Sequence, residues 1–246
     1  MIRSIVFILT ILGSVLGSIS VQAEKITAVG DPWPPFLDPN RPNKGIVVEI
    51  ATAAYATQGY ELEMSFVPWA RAIAGVRSAS SDLLLGTWFT KERTEYLMYS
   101  EPYLDNAIKF IKKKGDDFEY SDVESLTGKS VGIVRGYGYG DEFSNAENFK
   151  KPEAKNLIIN IRKLVAGRIN LAIEDELVAR SIMAKEDPEL LDQVEFSKVD
   201  YSTNALHVTS GLANAKHKEL IEAFNKGLAE IKASGKYAEI LGSLNK

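Results

Sequence analysis

Between Gly86 and Tyr103 the chain gathers groups suited to holding a carboxylate. Arg93 is a planar fork of donors that matches a carboxylate in bidentate fashion. Gly86 and Thr87, just before it, offer an open backbone and a hydroxyl to the same anion. Thr90-Lys91-Glu92-Arg93 reads as Thr-x-x-Arg, and Ser100-Glu101-Pro102-Tyr103 follows as Ser-x-Pro-Tyr. On these residues alone, a loop arginine in a surface ion pair is an equal reading.

Other chemistry is poorly supplied. The 246 residues hold two histidines, His207 and His217, and no cysteine, which argues against a structural zinc site. No nucleophile stands beside a base, and no phosphate-cradling loop occurs, so an enzyme is not expected, and neither is a cofactor or a metal. Glu174 beside Asp175 is the one feature that keeps acid catalysis open.

The N-terminus carries an export address. Met1-Ile2-Arg3 is a short basic start, Ile5 to Leu16 is an apolar run, and Ser20-Val21-Gln22-Ala23 supplies slender residues before a cleavage point. Residues 1–23 are therefore expected to be a signal peptide removed after Ala23. The apolar run is shorter than the ~20 residues a membrane span needs. Without cysteine there is no site for a lipid anchor, so a soluble, unanchored product is expected. Losing Arg3 takes the net charge from −4 to −5, an ordinary balance that argues against a nucleic-acid surface.

The elements that would position Arg93 follow from periodicity. Ile26 to Val29 reads as a strand running into Gly30-Asp31-Pro32-Trp33-Pro34-Pro35-Phe36, where three prolines exclude helix and ladder alike. A helix over Gly45 to Gln58, a strand over Leu62 to Phe66, a helix over Trp69 to Arg77 and a buried strand over Asp82 to Leu85 come next. Alternation of this kind implies parallel strands with crossover helices. After a strand at Ala107 to Ile111 the pattern restarts. Ser130 to Val134 is extended, a glycine-tyrosine loop runs from Arg135 to Gly140, and a helix spans Ile159 to Ala166. A strand at Ile169 to Ile173 leads into a helix over Glu176 to Lys185. An extended piece at Val194 to Val199, a strand over Ala205 to Thr209 and an amphipathic helix over Lys216 to Lys232 complete the chain, with a last short helix from Gly235. Two α/β units followed by a strand and helices belonging to neither suggest two lobes. The chain would cross between them near Asp105 to Lys109 and near Tyr201 to Leu206.

From Ile26 nearly to its end the chain resembles the periplasmic solute-binding proteins of the polar amino-acid ABC-importer class. The residues that carry the resemblance are Asp31 to Phe36, Thr90 to Arg93, Ser100 to Tyr103, Leu126 to Ile133, Gly167 to Asp175 and Gly235-Lys236-Tyr237. The resemblance implies a type II periplasmic-binding-protein fold, two Rossmann-like α/β lobes joined by a two-strand hinge. Lobe 1 would comprise 24–105 and 202–246, and lobe 2 would comprise 106–201. It also implies capture of an amino acid or related small carboxylate by hinge closure, and a monomer that docks on an inner-membrane permease.

Residue by residue, the resemblance places Arg93 on the ligand carboxylate, with Gly86, Thr87 and Trp88 around it. Gly167-Arg168-Ile169-Asn170-Leu171-Ala172-Ile173-Glu174-Asp175 matches the family motif, with Asn170 in place of its first aspartate, and puts Asp175 on the ligand ammonium. The bare sequence reads Asp175 as a helix N-cap, a role compatible with binding. Asp31 falls on a pocket-lining position, or is a turn aspartate before Pro32. Trp33 and Phe36 form an aromatic wall over the ligand, or pack the hinge; Trp69 closes the pocket floor, or packs the first core. The hydroxyl usual two residues before the Thr of Thr-x-x-Arg is here Trp88, so Thr87 is expected to take over its contact. The usual Gly-Thr loop of the second lobe is Gly136-Tyr137-Gly138-Tyr139, which keeps the accessible backbone but adds two rings. Arg71 and Arg135 stand nearby, as further cations or as surface charges. Two other functions share this scaffold: a dehydratase of the cyclohexadienyl type, and a binding protein that serves a membrane sensor.

Overall fold

The computed structural model describes residues 22–242. The expected signal peptide, except for Gln22 and Ala23, lies outside them. The chain begins with β1 (Glu24–Gly30), α1 (Ile46–Ala56), β2 (Tyr60–Phe66), α2 (Trp69–Arg77) and β3 (Leu83–Trp88). The short β4 (Leu97–Tyr99) and the long β5 (Leu104–Lys113) follow. A second unit comprises β6 (Val131–Val134), α3 (Asp141–Asn145), β7 (Glu153–Ala154), α4 (Leu157–Val165) and β8 (Leu171–Asp175). Last come α5 (Glu176–Glu186), β9 (Val194–Phe196), the long β10 (Ser202–Gly211), α6 (His217–Ala233) and α7 (Lys236–Leu241).

The strand order is β2-β1-β3-β10-β5-β8-β6-β7. The same scheme is thus used twice. In the first unit β1 pairs in parallel with both β2 and β3; in the second, β6 pairs in parallel with both β7 and β8. Each unit therefore has a switch point, beside β1 and beside β6, where the connections leave in opposite directions. In open α/β sheets such crevices at the strand C-termini are where ligands sit. Between the units, β10 and β5 pair antiparallel, with Ser202 opposite Ile108 and Leu206 opposite Leu104. These two strands are the two-strand hinge of a two-lobed α/β fold.

Apolar burial explains why the elements stay put. In the first lobe Ile46, Ile50, Ala54 and Tyr55 of α1 pack with Leu220, Phe224 and Leu228 of α6, all of them at most 3% exposed. The second lobe has its own cluster, in which Ile158, Ile161 and Leu164 of α4 meet Ile111, Ala172 and Met183. Both strands of the hinge run past the expected Ala107 to Ile111 and Ala205 to Thr209. The residues added at their starts pair across the hinge, Leu104 to Asn106 with Leu206 to Asn204, whereas Lys112 and Lys113 pair with β8 and β9 and Ser210 and Gly211 with β4; hydrophobic alternation within one strand does not reveal such partners. The five-residue α3, the two-residue β7 and the three-residue β4 and β9 are too short to show a period. Among the described residues no helix is long and apolar enough to cross a membrane.

Candidate ligand-binding site

The two switch points face each other, and four loops meet between them. The loop after β1 is folded back on itself, its Trp33 N–H donating to the Leu37 carbonyl (2.7 Å) and its Phe36 N–H to the Trp33 carbonyl (3.0 Å). That tight return aims Asp31 and the Trp33 indole at the second lobe. β3 runs through Trp88, three residues beyond the expected strand. Alternation along it puts Gly86 and Trp88 on the cleft face and Thr87 on the other. Thr87 is fully buried, and its hydroxyl is 3.1 Å from that of Thr209 and 3.4 Å from the Leu84 carbonyl. The expected hydroxyl contact is therefore not available from Thr87, because the strand continues where a turn was expected.

Arg93 is held from behind. The Thr90 hydroxyl accepts its N–H at 3.2 Å, as a Ser/Thr cap does at the start of a helical turn. Its guanidinium, only 4% exposed, lies 5.3 Å from the Trp69 ring, donates from Nη1 to the Trp88 carbonyl (2.9 Å), and from Nη2 to the Gly136 carbonyl (2.8 Å). The Trp69 indole N–H donates to that same Gly136 carbonyl at 2.8 Å. Gly136 has φ +77°, a left-handed conformation that favours glycine and turns its carbonyl towards the first lobe.

Acidic groups complete the cleft. Tyr137 donates its phenol hydrogen to Asp31 Oδ2 at 2.6 Å, across the lobes. The Trp33 indole donates to Glu174 Oε1 at 3.1 Å, also across the lobes. Glu174 is 1% exposed; its Oε1 also accepts the Asp175 N–H (2.9 Å), and its Oε2 has no hydrogen-bond partner among the described residues. Burial pushes the Asp31 carboxyl up to about 7 and the Glu174 carboxyl up to about 8, against the opposing pull of their hydrogen bonds. Burial also raises Asp175 above the usual range.

A small cavity, about 20 Å³, lies at the centre, lined by Asp31, Trp33, Leu37, Trp69, Gly86, Trp88, Arg93, Tyr137 and Gly138. That is room for about one water. Eight of the thirteen residues expected at the site thus share one space. Gly136 reaches it through its carbonyl. Tyr139 stands behind, its ring 6.1 Å from Trp88 and its hydroxyl accepting the Val134 N–H. Phe36 supports Trp33 at 4.7 Å and does not line the cavity. Asp175 does not line it either: its Oδ1 accepts the Val178 N–H at 3.0 Å and caps α5. Glu174 turns towards Trp33 instead, one residue earlier on β8. Leu37 was missed, since nothing local marks a leucine after three prolines as cavity wall. Arg135 pairs with Glu153 at the surface, and Arg71 is exposed. Among the described residues no group of three or more histidines and acids could hold a metal ion.

The chain is similar to several amino-acid-binding proteins. It is 28% identical to an arginine-binding extracellular protein of Bacillus subtilis, covering 96% of this chain and 92% of that protein. It is 24% identical to an L-cystine-binding protein of Escherichia coli, covering 89% and 82% respectively. Among solved structures, an amino acid ABC transporter substrate-binding protein of Streptococcus pneumoniae bound to L-arginine superimposes with a TM-score of 0.72 at 23% identity, covering 92% of this chain and 95% of that one. At such identity the likeness speaks for the fold. The family model of the bacterial extracellular solute-binding proteins, family 3, matches residues 26–243, and the chain belongs to that family.

Proposed function

We propose that this protein is the solute receptor of an amino-acid ABC importer, exported across the inner membrane and working unanchored in the periplasm as a monomer. Its ligand is an amino acid or related small carboxylate, gripped between the lobes and handed to a membrane permease. The observation that carries this reading is that Arg93 and Asp31 of the first lobe line one buried space at facing switch points, with Glu174 of the second lobe hydrogen-bonded to Trp33 in its wall. The relatives named for arginine and cystine support the ligand class.

An α-amino acid needs both signs of charge. Its carboxylate takes the two Nη groups of Arg93 in place of the Trp88 and Gly136 carbonyls. Its ammonium takes Asp31, with the unpartnered Glu174 Oε2 as second acceptor. Asp175, capping α5, holds the end of β8 and acts on the ammonium through Glu174. Trp33, Trp69 and Trp88 supply the walls. Four bonds that cross the lobes open to admit the ligand: Trp33–Glu174, Trp69–Gly136, Arg93–Gly136 and Tyr137–Asp31. The division between lobes runs near residues 105 and 202, so that β5 and β10 carry the hinge. Closure follows because the ligand touches both lobes only in the closed form, and therefore binds it more tightly.

The test is a thermal-shift screen of the protein, stripped by unfolding and refolding, against the twenty L-amino acids. One or a few of them should raise the melting temperature in a concentration-dependent way. A flat response to all twenty would remove the amino-acid reading.

A further inference from the structure

The cleft is occupied by the protein itself. Gly136 places a carbonyl oxygen on Arg93 Nη2 at 2.8 Å, where a carboxylate oxygen of a ligand would sit. One residue later, Tyr137 places an O–H donor on Asp31 Oδ2 at 2.6 Å, where an ammonium hydrogen would sit. An acceptor on the arginine and a donor on the acid, offered by two successive residues, reproduce the two ends of an α-amino acid. The Tyr137 ring fills the space between, edge-on to Trp69 at 5.6 Å and to Trp88 at 5.7 Å. Gly138 lets the loop lie this deep, because a Cβ there would stand 2.4 Å from Thr90 Cγ2 and 3.3 Å from Arg93 Nη1.

We propose that the Gly136-Tyr137 dipeptide is an internal ligand that holds the lobes together and competes with the solute, and that Tyr137 thereby sets affinity and selectivity. This rests on the reading of the cleft as the solute site. The consequence is quantitative. If nine molecules in ten hold the loop in the cleft, the apparent Kd of any solute is about tenfold above its intrinsic value. Only solutes whose carboxylate and amine both outbid the loop are retained, which discriminates against ligands satisfying one end alone.

The tryptophans make the test direct, since all three in the chain, Trp33, Trp69 and Trp88, are within this cleft and at most 6% exposed. Small-angle scattering and tryptophan emission are recorded for stripped wild type, Tyr137→Phe and Tyr137→Ala with no solute added. The expected result is a compact wild type, a larger radius of gyration with red-shifted emission for Tyr137→Ala, and a smaller change in the same direction for Tyr137→Phe. Should Tyr137→Ala fail to fold, Tyr137→Phe alone decides. Equal dimensions and emission for wild type and the folded variants, whether all closed or all open, overturn the proposal. Calorimetry with L-arginine as the probe is expected to show Tyr137→Phe binding more tightly than wild type, and weaker binding counts against the internal ligand. No arginine heat in any variant, with the expansion present, means that arginine is not the solute, and the expansion still supports the internal ligand.

Discussion

Arg93 gains its meaning from what surrounds it. A guanidinium that is 4% exposed, stacked near Trp69 and donating to two carbonyls, has no carboxylate partner among the described residues. Carbonyls are weaker acceptors than a carboxylate for a charged donor, so in the proposed function an incoming carboxylate displaces them with a gain. Replacing Arg93 by alanine should weaken binding of the solute found in the screen by about 2–4 kcal/mol, measured by calorimetry. An unchanged affinity would show that the carboxylate goes elsewhere. The turn that fixes Arg93 was legible because Thr90 and Arg93 act within one turn, three residues apart. Glu174 and Asp175 were harder, because a one-residue change of strand parity exchanges which acid faces the cleft. Asp175 obeys its local rule as an N-cap, and Glu174 inherits the exposure to the other lobe. Glu174→Gln keeps an oxygen for the Trp33 indole and the Asp175 N–H while removing a buried ionisable group. It should raise the melting temperature above about pH 8, where the wild-type carboxylate must be charged. A fall in melting temperature at that pH would mean that the charge is stabilised by something the cleft does not display.

At the scale of elements, the two α/β units were readable from alternation, whereas the hinge was readable only in part. β5 and β10 pair with each other over Leu104 to Ile108 and Ser202 to Leu206, about a hundred residues apart in sequence, and no local period announces such a match. Thr87 shows the same limit, since its orientation depended on whether β3 stopped at Leu85 or ran through Trp88. The contact of α6 with α1 is a sharper constraint. A Cβ on Gly227 would lie 2.0 Å from the Ala54 carbonyl oxygen, and backbone cannot swing aside as a side chain can. Gly227→Ala should therefore force the helices apart and cost about 2–3 kcal/mol, measured by chemical denaturation. A cost below about 0.5 kcal/mol would show that α6 slides without resistance.

For the whole molecule, closure gathers acids into a dry space. Asp31 at about 7 and Glu174 at about 8 both stand above their ordinary values of 3.8 and 4.5. The native state therefore holds protons that the unfolded chain releases, and stability declines as pH rises from about 4.5 to 8. Carboxylates with lowered values, such as Glu176 beside Lys109 and Arg180, act in the opposite sense, but only below about pH 4.5. The melting temperature should fall by about 5 °C between about pH 5 and pH 8.5, and a rise over that window would contradict the burial of these groups. Opening of the lobes rehydrates both acids, so the same protons favour the closed form. A solute with an ammonium group supplies the missing positive charge and shifts that balance. The measurement that bears most directly on the account is isothermal calorimetry of wild type and Arg93→Ala with the amino acid selected by the screen. The account predicts one site per chain in wild type and at least about a thirtyfold loss in the variant. Equal binding by both proteins, or no binding of any amino acid by wild type, would contradict it.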